Sequence, residues 1–125
     1  MPSTLSPFKL KKSDIEQFKT QGFIALKDVL PVEEIKKIEV IYDRLFSEKV
    51  GFADGRFFDL AGTDDNAAQL KMPQLLGPSN FSEELKNSII FPILQVIAKQ
   101  LLEIDPKIVL HVGDHAILKT AKKKT

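Results

Sequence analysis

Hydrophobic positions recur at helical spacing in two stretches of this chain. Between residues 31 and 49, Ile35, Ile38, Ile41, Tyr42, Leu45 and Phe46 return every third or fourth place, with Glu33, Glu34, Lys36, Lys37, Asp43 and Arg44 between them. That period puts one apolar stripe on a helix and predicts that Ile38, Ile41 and Leu45 are buried. Pro31 suits the first turn, and Gly51 is the expected stop. In the second stretch Leu85, Ile89, Ile93, Val96, Ile97 and Leu101 line one side behind Ser82 as N-cap, and Pro92 predicts a break with a new helix beginning there. A shorter helix is expected before Gly22, from the pair Ser13 and Glu16 in a capping box and from Ile15 with Phe18.

Two segments read as strands. Residues 23–27 alternate weakly, and residues 107–119 are rich in Ile, Val and Leu with Gly113 among them. Between them, residues 51–80 hold Gly51, Gly55, Gly62, Pro73, Gly77 and Pro78 and predict a long connection, a candidate substrate-facing segment. The ends, 1–12 and 120–125, are expected to fray, and no internal repeat is present. The whole reads as one α+β domain over residues 1–125.

Composition narrows the class. Hydrophobic residues make up 43% and charged residues 28%, which fits a folded globular chain. With 18 basic and 17 acidic residues, no long-range field favours nucleic acid or an acidic membrane. The absence of cysteine excludes disulfides, thiolate metal sites and a cysteine nucleophile. No signal pattern and no membrane-length apolar run are present, so the expected location is cytoplasmic. A G-x-S-x-G serine elbow and a Gly-rich phosphate loop are both missing.

The last segment carries the residue types a metal site would use, His111, Asp114 and His115. On a strand, His111, Gly113, His115 and Lys119 share a face, while Asp114 points the other way. Four residues at roughly 3.3 Å each separate the two histidines by about 13 Å, too far for one ion. A small metalloprotein using His111, His115 and Asp114 is therefore disfavoured. The pair Asp64 and Asp65 lacks a third ligand for calcium, and the plain reading is a solvated loop.

Four segments together resemble one family. Phe18-Lys-Thr-Gln-Gly-Phe-Ile-Ala-Leu-Lys-Asp-Val-Leu-Pro-Val-Glu-Glu-Ile, then Phe58-Asp-Leu-Ala-Gly-Thr-Asp-Asp, Met72-Pro-Gln-Leu-Leu-Gly-Pro-Ser and Gly113-Asp-His-Ala-Ile-Leu-Lys are similar to the phytanoyl-CoA dioxygenase family of iron(II)- and 2-oxoglutarate-dependent oxygenases. The resemblance spans residues 14–119. It implies the N-terminal helical part and first strands of a double-stranded β-helix, jelly-roll or cupin-like. It also implies a small-molecule substrate, and a 2-oxoglutarate pocket touched by Lys71 and His115. The departure is that the family's Trp-His-Gln-Asp-like motif, which carries the first histidine and the carboxylate of the iron triad, does not follow. The sequence ends instead as Thr120-Ala-Lys-Lys-Lys-Thr125. No catalytic or metal residue is assigned, and a chain of this kind is expected to be inactive alone. The alternative is a non-catalytic α+β binding or regulatory module that associates with another chain. In either case an incompletely paired strand at 107–119 predicts self-association.

Overall fold

The computed structural model describes residues 8–59, 72–110 and 113–119. They form helices and one small antiparallel sheet, a mixed α+β arrangement. The chain divides into two compact units, Met1–Ile35 with Asn87–His111, and Lys36–Lys86 with Val112–Thr125. None of the described helices is long and apolar enough to cross a membrane.

In the first unit, helix α1 runs Lys12–Gln21. Its N-cap is Lys11 and not Ser13: the Asp14 carboxylate accepts the Lys11 N–H at 3.0 Å, which satisfies a donor the helix start would otherwise leave open. Gly22 ends the helix at φ 82°, its N–H returning to the Phe18 carbonyl at 2.8 Å, in the left-handed region that glycine enters without a Cβ penalty. Fraying does not reach residues 8–12. Leu10 is buried, and its N–H is held by Gln100 Oε1 at 2.8 Å.

Residues 23–27 form no strand. Ile24 and Leu26 are half-buried and Phe23 and Ala25 exposed, so the inward–outward alternation is real, but no ladder partner lies alongside among the described residues. Helix α2, Val32–Ser47, begins in this unit and continues into the other. Helices α3, Glu83–Lys86, and α4, Ile90–Leu102, bracket the break expected at Pro92. Pro92 falls in the first turn of α4, where its missing N–H costs nothing. Ser82 Oγ caps α3 by accepting the Leu85 N–H at 3.1 Å. Ser88 accepts the Ile90 N–H at 3.1 Å and gives its own proton to Glu34 at 2.7 Å.

The second unit holds the sheet. Strands β1, Phe57–Asp59, β2, Pro73–Leu76, and β3, His115–Ile117, lie in the order β1-β2-β3, all antiparallel. Two of them fall in the stretch that the glycines and prolines marked as loop. Strands of three and four residues are too short to show a period, and Pro73 is tolerated because it opens its strand. The partner of β3 is β2 and not residues 23–27, and among the described residues of 107–119 only His115–Ile117 is strand.

The register places Phe57, Leu75 and Ala116 directly opposite one another across all three strands, and all three are buried. Ile41 and Leu45 of α2 are buried in the same unit, and Phe46 meets Phe57 with ring centroids 5.6 Å apart at 60°, the tilted geometry that aromatic pairs prefer. Ile38 is half-buried, and Ile35 is exposed, so the stripe is narrower than its spacing suggests. The helix stops before Gly51. Lys49 takes the left-handed position at φ 49°, with Val50 N–H returning to Leu45 O at 3.0 Å and Lys49 N–H to Phe46 O at 3.2 Å. Gly51, at φ 88°, serves packing: a Cβ there would stand 3.1 Å from Leu75 Cδ1 and 3.2 Å from the tip of Phe81.

Truncating Leu45 or Leu75 to alanine is expected to cost about 2 to 5 kcal/mol in a urea melt, since neither side chain exposes any surface. Ile38→Ala should cost less than either, and Lys36→Ala at an exposed position about 0.5 kcal/mol or less. A ranking that put Lys36 first would reverse the face assigned to α2.

Candidate functional site

The polar residues of the second unit converge on β3. Alternation along the strand buries Ala116 and turns His115 and Ile117 outward. On the same face, Gln74 stands opposite Ile117 and is therefore a diagonal neighbour of His115. The His115 Nε2 meets Gln74 Oε1 in a short hydrogen bond. A carboxamide oxygen only accepts, so in this contact the imidazole Nε2 is the donor. Gln74 is buried, 4% exposed, and a buried carboxamide needs such a partner.

Asp114 faces away from His115, as the strand period requires. Both of its carboxylate oxygens are engaged by Ser79: the backbone N–H gives to one at 2.9 Å and the hydroxyl to the other at 2.8 Å. With the Gly77 N–H on the Asp114 carbonyl at 2.8 Å, this ties the 3-10 turn Pro78–Phe81 to the start of β3. Asp114 is thus a brace for the turn.

Alongside β3, the helix residues Tyr42, Asp43 and Phe46, the strand residues His115, Ala116 and Ile117, and Leu118 just after them line a cleft of about 320 Å³. Tyr42 is half-buried in its wall. Burial, and secondarily the negative charge of Asp114, raises its phenol above the ordinary 10.0, because both disfavour the phenolate. The cleft thus carries a neutral phenol, an imidazole and the exposed carboxylate of Asp43 beside an aromatic ring.

Of the residues that the resemblance assigned to a 2-oxoglutarate pocket, His115 lines this cleft, while Lys71 lies outside the described residues, as do His111, Asp64 and Asp65. Among the described residues no three His, Cys, Asp or Glu side chains come together to hold a metal ion. The donor set for iron(II) is accordingly not met by these residues. The spacing places Tyr42 in the apolar stripe of α2 without giving it a role in a site, and no motif points to Gln74. A glutamine flanked by Pro73, Leu75 and Leu76 was the available signal for a buried polar group on a strand.

Tyr42 is the single tyrosine and the chain has no tryptophan, so near-ultraviolet titration reads this one group. Its midpoint is expected above 10.0 in the folded chain and to fall to the ordinary value in denaturant. The folded pKa is raised, so the stability it contributes is present below pH 10.0 and lost as pH climbs through the folded value. Asp114→Asn should lower the folded midpoint only in part, because burial is the larger cause; a midpoint equal in folded and unfolded chain would remove Tyr42 from the cleft wall.

No family model, curated protein or solved structure matches this chain.

Proposed function

We propose that this chain is an N-terminal part of an iron(II)- and 2-oxoglutarate-dependent oxygenase similar to phytanoyl-CoA dioxygenase, in which it supplies scaffold and one wall of the co-substrate pocket. The observation that carries this reading is His115. It sits where the Gly113-Asp-His-Ala-Ile-Leu-Lys resemblance expects a pocket residue, and it is turned out of β3 toward a cleft and oriented by the buried Gln74. With Nε2 held by Gln74, the ring presents Nδ1 to the cleft, and in its imidazolium form Nδ1–H can give a charge-assisted hydrogen bond to a ligand carboxylate. Iron would supply the oxidative chemistry when bound. In this reading its ligands lie outside these 125 residues, and the double-stranded β-helix is completed there as well.

A second reading, a non-catalytic binding or regulatory module, is favoured by a different observation. In the first unit, Ile24, Leu26, Val32, Ile35, Ile90 and Leu94 line a groove of about 520 Å³, with Val32 60% and Ile35 51% exposed. Apolar surface left open in this way commonly marks a contact with another molecule.

The discriminating experiment follows the His115 ring resonances by NMR during titration with 2-oxoglutarate, beside an iron(II) binding isotherm on the same 125-residue chain. The oxygenase reading expects a saturable His115 shift that Gln74→Ala weakens, and iron(II) uptake no greater than in His115→Ala. No His115 response at any 2-oxoglutarate concentration would leave the module reading standing. Stoichiometric iron(II) uptake with turnover to succinate would show that the chain holds its own metal site.

A further inference from the structure

The first unit holds a cavity of about 500 Å³ that shares no residue with the cleft beside β3 or with the groove of Ile24 and Ile90. It lies where the chain entering α1 meets the C-terminal turns of α4. The amide groups around it are engaged within the chain. Gln100 accepts the Leu10 N–H on Oε1 at 2.8 Å and gives from Nε2 to the carbonyls of Phe8 at 2.6 Å and Val96 at 3.2 Å. Two of the C-terminal carbonyls of α4, those of Lys99 and Gln100, take the N–H groups of Ile104 at 3.1 Å and Glu103 at 3.2 Å. The surface left over is apolar, from Phe8, Val96, Ile104 and Pro106. The charge left over is positive. Lys9 and Lys99 both line the cavity, and neither has an acidic partner among the described residues. Lys99 Nζ gives one hydrogen to the Pro106 carbonyl at 2.9 Å, which holds the ammonium beside the cavity and leaves two more to donate. The one carboxylate in the lining, that of Glu103, is paired with Lys19.

We propose that this cavity binds an aryl carboxylate, its ring against Phe8, Val96, Ile104 and Pro106 and its carboxylate on the Lys99 ammonium, with Lys9 as a second positive charge. Charge fixes the sign of the ligand. An organic cation would meet two unpaired ammonium groups, whereas a carboxylate gains a charge-assisted hydrogen bond from a donor that Pro106 already holds in place. The walls fix its body. An apolar lining with few open amide groups favours an apolar ligand, and the ring of Phe8 offers a face on which an aromatic ring can stack or tilt. A rigid ring also loses less freedom on binding than a flexible chain of equal area. Val96, Lys99, Gln100 and Glu103 follow one another at three- and four-residue spacing, so a single face of α4 and its cap brings the apolar and the charged parts of the site together. This inference does not rest on the oxygenase reading, since it concerns other residues and another ligand.

The test titrates the full chain with 2-naphthoate and, separately, with its uncharged amide 2-naphthamide, followed by calorimetry and by amide NMR shifts. Saturable binding of 2-naphthoate is expected, with shifts gathered at Val96, Lys99, Gln100 and Ile104. The amide has the same ring and lacks the charge, so it should bind about tenfold more weakly. Added salt should weaken the naphthoate and leave the amide unchanged. Lys99→Gln keeps a donor for the Pro106 carbonyl and removes the charge, so it should bring the two ligands close to equal affinity. Unchanged binding of the amide to that variant checks that the cavity is still formed. The proposal is overturned by an absence of saturable naphthoate binding, or by equal affinity for the two ligands in the unaltered chain. Shifts centred on Ile24, Ile90 and Leu94 would overturn it too, because the ligand would then sit in the other groove, and so would a preference for the naphthoate that survives Lys99→Gln.

Discussion

Strands of three or four residues do not hold themselves together, and the second unit depends on how one row of side chains solves that problem. Phe57, Leu75 and Ala116 stand opposite one another, one from each strand, and each is shielded from water. Leu45 and Ile41 of α2 are buried in the same unit, and the Phe46 ring leans on Phe57. A short ladder offers few hydrogen bonds, and each is worth little net of water. Burial of this row is what makes the pairing favourable, and it sets the register, because a slip of one residue would bring Gln74 and Arg56 to the apolar side.

Polar groups then fix what the apolar row leaves loose. Asp114 spends both oxygens on Ser79, which holds the 3-10 turn against the start of β3. Gln74, buried between strands, is answered by His115. In the first unit Gln100 does comparable work: its carboxamide accepts from Leu10 at 2.8 Å and gives to the Phe8 carbonyl at 2.6 Å, so the chain entering α1 is tied to α4. Each contact joins residues distant in sequence, and each satisfies a group whose burial alone would be costly. The orientation of His115, on which the functional reading turns, is a by-product of satisfying Gln74.

The helices were legible because their information is local. The three- and four-residue spacing of Ile38, Ile41 and Leu45 places α2, Ser82 does cap a helix, and Pro92 lies in the first turn of one that begins at Ile90, since caps and proline act within a turn of their own position. Errors arose where a local rule had a competitor nearby. Asp14 can reach back to Lys11 as Glu16 might have to Ser13, and a lysine at φ 49° ends α2 two residues before the glycine that suits the same geometry. The stripe also overstated burial, as Ile35 shows, because periodicity says which face is apolar and not how much of it finds a neighbour.

Strands were another matter. Residues 23–27 had the alternation of a strand and no partner among the described residues, whereas Phe57–Asp59 and Pro73–Leu76 looked like loop and pair with each other. For the site, the sequence by itself determined that His115 and Asp114 would face opposite ways, since that follows from the strand period alone. Only the tertiary structure decided that Gln74 would hold the imidazole, that Ser79 would take up the carboxylate, and that Tyr42, Asp43 and Phe46 would close a cleft against β3. The physical reason is separation along the chain: Gln74 and His115 are 41 residues apart, and a pairing of that span depends on which apolar rows can be buried together, which no local pattern records.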